Sequence, residues 1–125
     1  MDKFEIKLGA ILFALAIMFG AFGAHALKEL VSEEAINTFE VGVRYQFYQA
    51  LGFLFLGLGK EKFGFSLKAI SIGMLIGLSL FCGSIYGIAL KEIISFPVSF
   101  LGPITPIGGV ILIFSWGRLI TKFYK

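Results

Sequence analysis

The chain has 125 residues, 58% of them hydrophobic and 15% charged, with 16 Gly and 15 Phe. A soluble domain of this size carries about 45–50% apolar and about 25% charged residues, so the composition excludes an ordinary water-soluble globule. The formal net charge of +3 comes from Lys and Arg flanking apolar runs and predicts no nucleic-acid face.

Uncharged runs long enough to cross a ~30 Å hydrocarbon core, about 20 residues each, recur along the chain. They predict an all-α integral membrane bundle in which residues 1–125 form one domain of four transmembrane helices. The helices are placed near 8–27, 33–58, 68–90 and 105–122. The first follows Lys3 and Lys7. Ala24-His25-Ala26 imitates a signal-peptide cleavage site, but the apolar run before it is longer than an ordinary h-region, and Asp2 and Glu5 stand in the leading stretch. The run is therefore read as a retained span. Its Ala16, Gly20 and Ala24 form a ladder of small residues at helical spacing, which lets a second helix come close.

Ser32 ahead of Glu33 and Glu34 predicts an N-cap with acids in the first turn. One long helix follows to Leu58, closed by Lys60-Glu61-Lys62, and Phe63 to Lys68 is a short loop. The third span carries Gly73-x-x-x-Gly77 and Gly83-x-x-x-Gly87. At about 100° per residue, Gly73, Gly77, Ser84 and Gly87 share a stripe roughly 80° wide, predicted to pack on a helix of the same chain. Pro97, Pro103 and Pro106 break the first part of the last uncharged run. They predict a Pro-rich irregular lead-in at the membrane surface, with the last helix starting near Thr105-Pro106.

Eight basic residues (Lys3, Lys7, Lys60, Lys62, Lys68, Arg118, Lys122 and Lys125) fall on the side of the termini and second loop. Three (Lys28, Arg44 and Lys91) fall on the other, with five of the eight acids. The positive-inside rule then places the protein in the plasma (inner) membrane with both termini cytoplasmic. His25, Arg44 to Gln49, Ser84, Tyr86 and the proline segment converge on the outer leaflet.

The polar side chains of that leaflet are the candidate site: His25, Arg44, Tyr45, Gln46, Gln49, Ser84, Tyr86 and Thr105. Each has a structural and a functional reading. Arg44 follows Glu40 by four residues, an ion-pair spacing, and is either a snorkelling interfacial cation or a contact for an anionic lipid or solute. Gln49 counts to near the midplane, where an unpaired amide costs several kcal/mol. It is helix-to-helix glue or the lining of a solute path. His25 is an interfacial histidine or a titrating group. Tyr45, Tyr48 and Tyr86 fit an outer aromatic belt, and Thr105 a helix cap. A single His and a single Cys82 inside a span exclude an internal disulfide and leave metal chemistry without its usual ligands. No nucleophile–base pair is recognisable, so neither an enzyme nor a cofactor is expected.

Four motifs occur in order over nearly the whole chain: residues 20–27 (GAFGAHAL), 42–46 (GVRYQ) with 50–52 (ALG), 83–86 (GSIY) and 102–109 (GPITPIGG). In these the chain resembles the YgdD/YwdK-type family of small bacterial inner-membrane proteins, a domain-of-unknown-function group with relatives in eukaryotes. The resemblance implies four transmembrane helices and no assigned activity. Many members of that group carry His at the position of Gln49. A shared function needing a proton-carrying histidine there would fail in this chain, which favours a hydrogen-bonding role at this position.

Two classes of function remain. One is a membrane interaction or assembly protein, or a lipid-binding one, whose partners are the bilayer and a specific lipid or membrane protein. The other is a small-solute transporter or permeability protein. The spans hold no acidic pair, against an ion-coupled pump, and a homo-oligomer is compatible with either class. The face of Arg44, Gln46 and Gln49 is predicted to hydrogen-bond the Gly102–Gly109 segment, where irregular carbonyls need donors. His25 and Ser84 stand nearby in that expectation.

Overall fold

The structure is a computed structural model that describes residues 3–95 and 97–123. Asp2, read above as part of the leading stretch, and Lys125, counted with the tail, lie outside the described residues. Four helices follow one another: α1 (Phe4–His25), α2 (Glu33–Phe63), α3 (Lys68–Ala89) and α4 (Ile104–Phe123). Single 3-10 turns at Leu27–Glu29 and Ser99–Leu101 sit in the links. The four-helix bundle and its irregular, proline-bearing lead-in to α4 are as the sequence predicts.

Ser32 caps α2, its Oγ accepting the Ala35 N–H at 3.1 Å. Lys60-Glu61-Lys62 does not end this helix, because lysine and glutamate are good helix formers. The helix runs to Phe63 and stops where Gly64 takes a left-handed φ of 74°, a conformation glycine adopts without a Cβ penalty. In α4, Ile104 begins the helix and Pro106 is its third residue, a position whose N–H has no intrahelical acceptor in any case.

The helices meet through small residues. In α1, Gly9, Ala16 and Gly23 are buried at seven-residue steps, the period of a left-handed antiparallel pair. A Cβ on Gly9 would lie 2.9 Å from the Ala50 carbonyl oxygen, and one on Gly57 would lie 2.6 Å from Ile6 Cγ1. Gly23 faces Phe39, so α1 and α2 run side by side over their length. Of the predicted ladder, Ala16 is buried, whereas Ala24 is exposed.

On α3 the predicted stripe packs as expected. A Cβ on Gly73 would meet Ser115, one on Gly77 would lie 2.9 Å from the Leu112 backbone nitrogen, and one on Gly87 2.5 Å from Leu101 Cδ1. Gly83 has open space instead.

The backbone contacts are extensive for α1 with α2, α3 with α4, and α2 with α3. Side chains add lighter contacts of α1 with α3 (Phe19 on Tyr86) and of α2 with α4 (Gln49 on Trp116). α2 and α3 are the middle pair, in contact with each other and each with one outer helix. The core follows suit: Phe53, Leu56, Leu67, Ile70, Met74 and Leu78 fill one half. Ala16, Leu27, Phe39, Val43 and Ala89 fill the other.

Among the described residues, three helical stretches, 4–29, 68–89 and 99–123, are long and apolar enough to cross a membrane. The more polar α2, 31 residues long, spans about 46 Å.

Candidate functional site

Gln46, 4% exposed, sits where three helices meet. Its Nε2 donates to the Leu12 carbonyl of α1 at 2.8 Å, and its Oε1 accepts the Tyr86 hydroxyl of α3 at 2.6 Å. Tyr86 is held by edge-on contact with Phe19, 5.3 Å between centroids, and by Phe39 at 5.0 Å. The amide of one side chain thus ties α1, α2 and α3 together. Each polar atom finds a partner, as an amide away from water requires.

One turn further along α2, Gln49 reaches a different helix. Its Oε1 accepts the Trp116 indole N–H of α4 at 3.0 Å. Around this pair lies a groove of about 620 Å³ between α2 and α4, with Tyr45, Phe81, Gly109 and Gly117 in its walls. The Trp116 ring also occupies the space a side chain at Gly52 would take, 2.7 Å from its Cβ position.

At the start of α4, Ser84 Oγ and Thr105 Oγ1 are 2.5 Å apart. Ser84 also donates to the Phe81 carbonyl at 3.0 Å, and Thr105 reaches the Leu101 carbonyl at 3.5 Å. This is the one part of the predicted cluster that touches the proline segment. The expectation that Arg44, Gln46 and Gln49 bond residues Gly102–Gly109 is overturned. Gln46 and Gln49 point to α1, α3 and the middle of α4. Arg44 is exposed, with no hydrogen bond or ion pair to Glu40 or to any other described residue. Short turns within the irregular segment, Leu101 N to Val98 O and Gly102 N to Ser99 O, take up two of its carbonyls without an arginine fork. His25 is exposed in the last turn of α1. Tyr45 and Tyr48 are exposed and edge-on to each other at 5.6 Å. The two end loops are joined by Ser32 N–H donating to Glu92 Oε1 at 2.9 Å.

A second polar group, at the end holding the N-terminus and the α2–α3 loop, escaped the sequence. Glu5, 2% exposed, accepts from Lys60 Nζ at 2.8 Å and from the Ser71 hydroxyl at 2.6 Å. These residues wall a cavity of about 530 Å³, with Ser66 and Lys68 at its polar side. Glu5 lies four residues before Gly9, on the buried seam of α1. That spacing was the available signal. Trp116 was likewise passed over, although a donor-only indole in an apolar helix calls for an acceptor.

Apolar helices packed through glycines, with polar side chains bonded from one helix to the next, define a small helical membrane protein. Comparison with known proteins agrees. A family described as "Protein of unknown function (DUF423)" matches residues 19–109, and the chain belongs to that family. It is 36% identical to the UPF0382 membrane protein YwdK of Bacillus subtilis over 125 residues, 98% of each chain. It is 37% identical to a UPF0382 membrane protein of Staphylococcus epidermidis over 123 residues, covering 98% of this chain and 97% of the relative. Its identity to UPF0382 membrane protein SH2409 of Staphylococcus haemolyticus is 34%, over the same shares. No solved structure matches.

Proposed function

We propose that the chain is a lipid-binding protein of the plasma membrane that crosses the bilayer four times with both termini cytoplasmic. The observation that carries this is where the bundle leaves space. Contact between α2 and α3 closes the middle, and no fully buried side-chain N or O among the described residues lacks a partner. Apart from the cavity beside Glu5 at one end, open volume lies between helices on the flanks. The groove between α2 and α4 holds about 620 Å³. A second, of about 410 Å³, is walled by Met18, Phe22, Phe39 and Leu90. Grooves that open sideways suit molecules arriving from the bilayer; a transporter needs a path along its axis.

Antiparallel packing supports four crossings. The second helix lies against α1 from Gly57 beside Ile6 to Phe39 beside Gly23, so a membrane crossed by α1 is crossed by α2 as well. The lysine-rich end, with Lys3, Lys7, Lys60, Lys62 and Lys68, is then cytoplasmic.

Native mass spectrometry of the protein extracted in mild detergent tests the reading. One retained lipid-like molecule per chain is the expected mass. A chain stripped bare under conditions that keep it folded, together with solute flux in proteoliposomes, would replace this reading with the transporter one. A stoichiometric protein partner in place of lipid would favour an assembly role.

A further inference from the structure

We propose that the groove between α2 and α4 is a site for a lipid-soluble molecule bearing a carbonyl oxygen, with the Gln49 amide nitrogen as its hydrogen-bond donor. The inference rests on the lipid-binding reading and names the chemistry that one of the two grooves selects.

Indole nitrogen only donates, so the 3.0 Å contact from Trp116 Nε1 sets the orientation of the Gln49 amide: the oxygen faces Trp116, and Nε2 is left with its two N–H groups. Nε2 bonds to none of the described residues. It is not sealed in either, since no fully buried side-chain nitrogen among them is without a partner. Gln49 lines the groove and is half-buried, and its free donor is assigned to that space. Gln46 makes the contrast: one turn away on the same helix, both ends of its amide are used within the chain.

Depth supplies the chemistry. Gln49 lies eleven residues from Lys60, about 16 Å along the helix and so near the middle of a ~30 Å core. Acyl chains at that level offer no acceptor, and an unpaired amide there costs several kcal/mol. A ligand that brings a carbonyl oxygen removes this cost; a plain hydrocarbon does not. Tyr45 stands four residues before Gln49 on the same wall, about 6 Å along the axis, and its hydroxyl bonds to no described residue either. The two donors suit a ring with separated carbonyls, flanked by apolar walls from Phe81, Leu112 and Ile113. At about 620 Å³ the groove has the size of a small-molecule pocket.

The chain carries a single tryptophan, and it is in the groove, so Trp116 fluorescence reports occupancy. The probe is decylubiquinone, a quencher, titrated into the protein in phosphatidylcholine nanodiscs, with decylbenzene as the competitor lacking carbonyls. Saturable quenching at about one quinone per chain is expected, undisturbed by decylbenzene. Gln49→Leu should raise the half-saturating concentration on the order of tenfold, the equivalent of one hydrogen bond. Because that change also strips Trp116 of its acceptor, Gly117→Leu is the second variant. Its side chain enters open space in the groove and should abolish saturable quenching without lowering the melting temperature. Linear quenching equal in wild type and Gly117→Leu means partition into lipid only and overturns the proposal. So does saturation unchanged in both variants, and so does a stable dimer closing this face against a second copy. If phospholipid is retained by mass spectrometry while quenching stays linear, this inference falls and the lipid-binding reading stands.

Discussion

Glu5 and Lys60 are joined at 2.8 Å across the α1–α2 pair, fifty-five residues apart in the chain. The carboxylate is 3% exposed in its side chain and the lysine 26%. Removing one partner of such a pair is most costly when the charge left behind is the buried one. Lys60→Met is therefore expected to cost about 2–3 kcal/mol, and Glu5→Gln, which keeps an acceptor for Ser71, about 1 kcal/mol. Reversible unfolding in mixed micelles measures both. Equal losses would mean that water reaches the carboxylate freely.

The glycines divide into those that set helix distance and those that do not. A Cβ on Gly108 would collide with the Phe81 nitrogen and lie 2.7 Å from the Gly77 carbonyl oxygen, both backbone atoms with nowhere to move. Gly108→Ala is expected to lower stability by about 1–3 kcal/mol. Gly83→Ala meets nothing within 4 Å and should be neutral or up to about 1 kcal/mol stabilising, from helix propensity alone. Melting temperatures in detergent decide; similar values for the two variants would contradict the tight α3–α4 contact.

Gln46 and Tyr86 form one unit. Gln46→Leu is expected to cost about 1–2 kcal/mol, and the Gln46→Leu, Tyr86→Phe double variant little more, with a coupling of about 1 kcal/mol. Strictly additive losses would show that the 2.6 Å contact carries no energy of its own. Arg44→Ala, at an exposed site without a described partner, should stay within about 0.5 kcal/mol of wild type.

Orientation is open to labelling, because Cys82 is the only cysteine and is buried. In a Cys82→Ala background, Lys28→Cys is expected to react with an impermeant maleimide on intact cells. Ser66→Cys, in the exposed α2–α3 loop, should react only after permeabilisation. The reverse pattern would invert the topology.

Much of the architecture is set by local chemistry and was legible without coordinates. Apolar run length gives α1 and α3 to within a few residues, Ser32 marks the start of α2, and the proline spacing locates the irregular lead-in to α4. The stripe of Gly73, Gly77, Ser84 and Gly87 is legible for the same reason: helical period alone decides which side chains share a face. A partner is another matter. Gln46 and Gln49 stand three residues apart and look like one site in the sequence. Yet about 60° around the helix axis separates them, and the neighbouring helices divide them: Gln46 bonds to α1 and α3, Gln49 to α4. Glu5 reads as a solvated residue ahead of a span until Lys60 and Ser71 are brought to it from distant parts of the chain. By itself the sequence determined that the chain makes apolar helices and where they begin and break, because those depend on neighbours a few residues away. Only the tertiary structure decided which polar groups close on one another and which remain open, because hydrogen bonds between helices depend on rotation and depth that no local pattern encodes.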